Sequence, residues 1–197
     1  TLPPRVLKLW TQFKEVRLGV SVDGMGAVLE YQRYPVKWNK VLKNLNTIDK
    51  LPNNIKAWIA FTVTAYNVEH MIDFMKWKIQ ESGWTKINNS SIKPFITYHV
   101  AHNPPHLNIR VLPEKYKNNV TQQFDNFIQW CEDEQLDKKY VIAAKGIRNG
   151  VCNYMNNDNY YSDHWQDFIK YTNNLDKIRN EDIKNIVPAL KEFMYAS

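Results

Sequence analysis

Cysteine is nearly absent from this 197-residue chain: Cys131 and Cys152 are the two. A pair of separated thiols builds neither a disulfide framework nor a complete cysteine metal set. Glycine is scarce at six residues, and no glycine-rich phosphate loop, nucleophile elbow or zinc-protease helix is present. No apolar run approaches the roughly 18–20 residues that a membrane span needs. No basic–apolar–small leader opens the chain. The low cysteine content and the lack of a leader set the expectation of a reducing, cytoplasmic setting. The chain opens on Thr1 rather than methionine, so the native start is expected upstream.

Aromatic residues are abundant, at 13%, with seven Trp and eleven Tyr. Charged residues make up 23% and leave a net +6. A basic balance can serve nucleic acid or another polyanion. The lysines are scattered, however, and no basic arm forms, so the charge reads as a solvated surface and nucleic acid is not the expected partner. The group Tyr154, Tyr160, Tyr161 and Trp165 could stack bases, but packing is the simpler role for it. Cys131 shares a helical stripe with Val120, Phe124, Phe127 and Ile128, which makes it a buried structural thiol.

Periodicity places strand and helix alternately through the first half. Val16, Leu18, Val20 and Val22 alternate with Arg17, Gly19, Ser21 and Asp23, a half-buried strand. A helix is expected from about Pro35 to Ile48, with Trp38, Val41, Leu42, Leu45 and Ile48 as its stripe. A second strand spans 55–65. Asn67 reads as the N-cap of a helix that buries Val68, Met71, Ile72, Met75 and Ile79 and stops near Ser82-Gly83. Residues 84–94 read as loop. A third strand covers 95–100 or continues through 107–113. Helices follow near 114–132, 138–154 and 162–178, then a short one after Asp182 that Pro188 interrupts.

This order implies parallel strands with right-handed crossovers. The expected fold is α/β: a partial (β/α) barrel or a small parallel sheet with crossover helices, followed by a helical C-terminal tail. Residues 1–113 form the β/α part and 114–197 the helical extension packed on it, as one structural unit. Ligands of such sheets gather at the C-terminal strand ends. Ser21 and Asp23 end the first strand; Thr64 and Asn67 hold the equivalent place on the second. Arg33 offers a planar fork of donors and Ser21 one more, together a carboxylate-binding set. Asp23 could accept from ribose hydroxyls or hold the glycine turn. The plainer alternative is a strand-ending turn with Arg33 as a surface charge.

The stretch "VSVDGMGAVLEYQRYPVKWNKVLKNL" resembles the fourth strand and helix of radical S-adenosylmethionine enzymes, in particular those with a twitch or related auxiliary-cluster domain. "WIAFTVTAYNVEHMIDFMKW" is similar to the family's fifth strand and following helix. "LNIRVLPEKYK" and "WQDFIKYTNNLDKIRN" are similar to the distal region and tail of twitch-type members. The resemblance implies that Ser21 and Arg33 hold the methionyl carboxylate of S-adenosylmethionine. Asp23 and Asn67 match motif positions, and Thr64 is a strand-tip candidate. It also implies a 4Fe-4S cluster bound through Cys-x-x-x-Cys-x-x-Cys, which this sequence lacks; thiolates are what such a cluster requires. The chain is therefore expected to be the C-terminal portion of such an enzyme. It would be inactive alone and partnered by the N-terminal half of the barrel, in the same or a separate polypeptide, with a peptide or small molecule as substrate. The alternative expectation is a non-catalytic basic α/β module that binds nucleic acid or a protein.

"HVAHNPPH" brings His99, His102 and His106 close in sequence near a strand tip. Imidazole is a common metal ligand, but this spacing matches no metal motif, and polar loop residues or a substrate contact are the readings it leaves.

Overall fold

The computed structural model describes residues 2–88, 94–157 and 162–194. They fall into two compact units, Thr1–Thr62 with Asp73–His99, and Val63–Ile72 with Val100–Ser197.

In the first unit, alternation produces the expected strand. β1 (Val16–Ser21) half-buries Val16, Leu18 and Val20 and exposes Arg17, Gly19 and Ser21. It pairs in parallel with β2 (Ile55–Val63), with Gly19 opposite Trp58 and Ser21 opposite Ala60. β3 (Thr97–Val100) completes a three-stranded parallel sheet in the order β1-β2-β3. The third strand stops at Val100: residues 107–113 are not extended but contribute to short 3-10 turns at Pro105–Leu107 and Ile109–Val111. Prolines at 104 and 105 remove ladder donors there.

Two connections depart from the sequence reading. Gly26–Gln32 form a helix, α2, where periodicity places no element; it buries Val28, Leu29 and Tyr31. Gly26 carries a φ of +53 at its start, which a side chain would oppose. The next helix, α3, is Trp38–Asp49 rather than beginning at Pro35. Its start is set by Glu30 of α2, whose carboxylate accepts from the Trp38 backbone N–H at 2.9 Å and from Lys37 Nζ at 2.8 Å. Those bonds pull the Glu30 pKa below its ordinary value. α3 buries Leu45 and Ile48.

α4 (His70–Gln80) lies between β2 and β3 in the chain. In the first unit its Phe74 packs on Phe61 of β2 at 5.8 Å, and Trp77 meets both Trp38 and Trp84 edge to face. Right-handed crossovers in a 1-2-3 sheet put both connections on one face, which matches the burial. Ile55, Ala57, Ile59 and Phe61 are buried. The opposite face leaves Arg17, Ser21 and Lys56 exposed and Trp58, Ala60 and Thr62 half-buried. Trp58 lies across β1, where a Cβ on Gly19 would come within 3.1 Å of the indole.

The second unit is largely helical. α5 (Glu114–Asp133) and α6 (Lys138–Met155) are long helices that bury Phe124, Phe127 and Cys131, and Ile147, Val151 and Cys152. α7 (Trp165–Arg179) ends in Asn180 with left-handed backbone, a common helix stop. Two short pieces follow, α8 (Ile183–Ile186) and α9 (Lys191–Met194), with the break at Pro188 that the sequence predicts. Tyr66 packs on Phe168 at 5.1 Å and shares a 2.8 Å hydrogen bond with Thr172. Among the described residues no helix is long and apolar enough to cross a membrane.

Candidate functional site

At the end of β1 the chain needs something to fix the loop, because the ladder stops there. Asp23 supplies it. Its side chain is 7% exposed. One carboxylate oxygen accepts from the Thr62 backbone N–H at 2.7 Å, the other from Arg33 Nε at 2.6 Å. Gln32 Nε2 donates to the Asp23 carbonyl at 3.4 Å. Asp23 thus joins β2, the β1 loop and the end of α2. Arg33 is 38% exposed, and Ser21 is exposed at the strand end. The carboxylate-binding set is therefore partly spent: Arg33 gives Nε to Asp23, while its terminal amino groups remain the donors that a ligand carboxylate would use.

Thr64 and Asn67 come together in the second unit. Asn67 Oδ1 accepts from the Thr64 backbone N–H at 2.7 Å and from Thr64 Oγ1 at 3.3 Å. Tyr66 N–H donates to Thr64 Oγ1 at 3.3 Å. Asn67 is fully buried. It does not cap α4, which begins at His70; its oxygen serves the strand-end N–H behind it instead. The pair closes a turn on itself.

The three histidines are divided between the two units. His99 lies on β3 in the first unit. In the second unit, His106 packs against Tyr171 with ring centroids 4.5 Å apart. Its Nε2 is buried and has no hydrogen-bond partner among the described residues. Burial lowers the His106 pKa, with Asp167 opposing and His164 adding to the drop. His102 is exposed and lies 3.0 Å through Nδ1 from the Tyr154 hydroxyl. Tyr154 Oη also accepts from Asn108 Nδ2 at 2.7 Å, and Arg110 donates through Nε to the Tyr154 carbonyl at 3.2 Å. The Arg110 guanidinium carbon stands 4.6 Å from the Tyr154 ring centre. Sequence reading names His102 and Tyr154 separately and does not bring them together with Asn108 and Arg110, to which it gives no role. Of the aromatic group, Trp165 stacks on Phe168 at 4.9 Å, and Tyr160 and Tyr161 lie outside the described residues. Among the described residues no three His, Cys, Asp or Glu side chains assemble as a metal ion needs.

The two cysteines do not suit an iron–sulfur cluster. Neither is in a disulfide, and both are buried. Burial pushes the Cys152 thiol up, away from the thiolate a cluster binds; Thr121 and Arg148 oppose this and Asp125 adds to it. No family model matches the chain, and neither a curated protein nor a solved structure matches it.

Proposed function

We propose that the chain is the portion of a radical S-adenosylmethionine enzyme, of the twitch-bearing type, that carries later strands of a partial (β/α) barrel and helps to hold the cofactor. Ser21 and Arg33 grip the methionyl carboxylate. Asp23 is the positioning residue that holds Arg33. Polypeptide outside these 197 residues supplies the cluster cysteines, and without them the chain does not cleave the cofactor. The bound cofactor would supply a 5′-deoxyadenosyl radical; this chain's residues orient it and exclude water. The substrate is a peptide or small molecule.

One observation carries the reading: Ser21 stands exposed at the C-terminal end of a parallel strand, and the loop that follows anchors Arg33 through a buried carboxylate. Ligands of parallel α/β sheets gather at that end. The sheet adds support. Its crossover face is packed and its other face bears Arg17, Ser21, Lys56 and Trp58, as a wall of a barrel would turn a mixed polar face to the lumen.

The test is Arg33→Ala in the full-length enzyme reconstituted with its cluster. Calorimetry should find S-adenosylmethionine bound about tenfold more weakly, roughly 1.4 kcal/mol. Unchanged affinity removes the assignment. A Cys-x-x-x-Cys-x-x-Cys frame in the adjoining coding sequence is the expected source of the cluster ligands.

A further inference from the structure

The His102–Tyr154–Asn108 chain is a hydrogen-bonded series whose direction is fixed at its Asn108 end. Asn108 is fully buried. Its Oδ1 accepts from the Arg110 backbone N–H at 3.0 Å, which orients the amide: the group facing Tyr154, at 2.7 Å, is Nδ2. An amide nitrogen can only donate. Tyr154 Oη is therefore the acceptor there; its own proton can go to His102 Nδ1 at 3.0 Å, and its second lone pair could instead accept from that nitrogen, so the direction of this bond depends on the His102 tautomer. A neutral imidazole that accepts at Nδ1 carries its proton on Nε2. The His102 ring stands edge-on to Tyr154, 88° between planes with centroids 5.4 Å apart. The Arg110 guanidinium lies over that same tyrosine ring. His102 itself is exposed.

We propose that His102 Nε2–H is a preset hydrogen-bond donor, backed by Tyr154 and Asn108 and by the positive charge of Arg110, that binds an anionic oxygen of a carboxylate or phosphate ligand. All four residues belong to the second unit, and the site does not depend on the cofactor reading above. Tyr154 and Asn108 are positioning residues: they touch the imidazole rather than the ligand. Their service is to remove the tautomer in which Nδ1 carries the proton, so that the donor is present before the ligand arrives.

The experiment uses the full 197-residue chain, labelled with 15N, and reads histidine ring nitrogens by NMR at a pH where the imidazole is neutral. His102 should show the Nε2–H tautomer. Sodium acetate and inorganic phosphate are then titrated separately at constant ionic strength. Saturable movement of the His102 Nε2 signal with acetate assigns a carboxylate ligand, and with phosphate alone a phosphate ligand; either supports the site. His102→Ala should weaken that binding about tenfold or more, read on neighbouring amides. Tyr154→Phe keeps the ring and removes the hydroxyl. It should mix the tautomers of His102 and weaken binding about threefold; because it also strands the buried Asn108 amide donor, the thermal midpoint should fall by several degrees, and binding is read well below it. A His102 ring protonated on Nδ1, or a Nε2 signal that neither anion moves, overturns the proposal.

Discussion

At the scale of single residues, Asp23 is the side chain on which the first unit's strand-end geometry depends. It is buried and both oxygens are engaged, one by a backbone N–H of the neighbouring strand and one by Arg33. Removing it strands the Thr62 N–H and leaves Arg33 without its partner. Asp23→Ala should cost about 2–3 kcal/mol in urea unfolding. Asp23→Asn keeps an acceptor for Thr62 and should cost about half of that. Arg33→Ala should cost no more than about 1 kcal/mol, because that side chain is partly in water. The opposite ranking, with Arg33 the more costly, would show that the carboxylate is not the anchor. The sequence made these residues visible as candidates but not their arrangement. Ser21, Asp23 and Arg33 stood out as a hydroxyl, a carboxylate and a cation after a strand; only the fold shows that the carboxylate takes Arg33. His102 and Tyr154 lie 52 residues apart, a separation at which no periodicity speaks.

At the scale of elements, α4 shows what periodicity reads and what it misses. Met71, Ile72 and Met75 are buried as their spacing predicts, but the last turn buries Lys78 fully and leaves Ile79 half-buried. A lysine reads as solvent from sequence alone. Here its ammonium donates to the Pro94 carbonyl at 3.1 Å, and Trp77 beside it belongs to the aromatic cluster with Trp38 and Trp84. Burial brings the Lys78 pKa down to about 7 from 10.5, with Asp49 opposing the drop. Between those two values the unfolded chain binds the proton that the folded chain does not, so stability from this group rises as pH increases from about 7 towards 10.5. Urea unfolding at pH 9.5 should exceed that at pH 7.5 by on the order of 2 kcal/mol, and Lys78→Met should abolish most of that difference while stabilising the protein near neutrality. A pH response that Lys78→Met leaves unchanged would place the ammonium in contact with water. The long helices α5 and α6 were legible to within two residues because their apolar stripes run for several turns. α2 was not: seven residues behind two glycines are too short for a period to emerge.

At the scale of the whole molecule, the sheet has one packed face and one part-exposed face, and its order leaves β1 at an edge. Open sheet surfaces and edges invite pairing with other chains, and natural sheets oppose this with charge. Arg17 and Lys56 sit as paired neighbours in the β1–β2 register, both exposed. They stand on the same face as Trp58, and the ion pair of Arg17 with Glu15, Nε to carboxylate at 2.6 Å, offsets part of the repulsion between the two cations. These two cations should oppose association through the face; the molecule's net charge of +6 should act in the same direction but over the whole surface. Replacing both with apolar residues of β propensity, Arg17→Val with Lys56→Val, changes the face more than the total charge. Sedimentation velocity should find the double variant in dimers or larger species at concentrations where the parent chain is monomeric. A control that removes two scattered lysines, Lys8→Gln with Lys138→Gln, should leave the parent behaviour. If the control associates as readily as the double variant, overall charge rather than the sheet face governs solubility. If neither does, Trp58 across Gly19 already closes the face by itself.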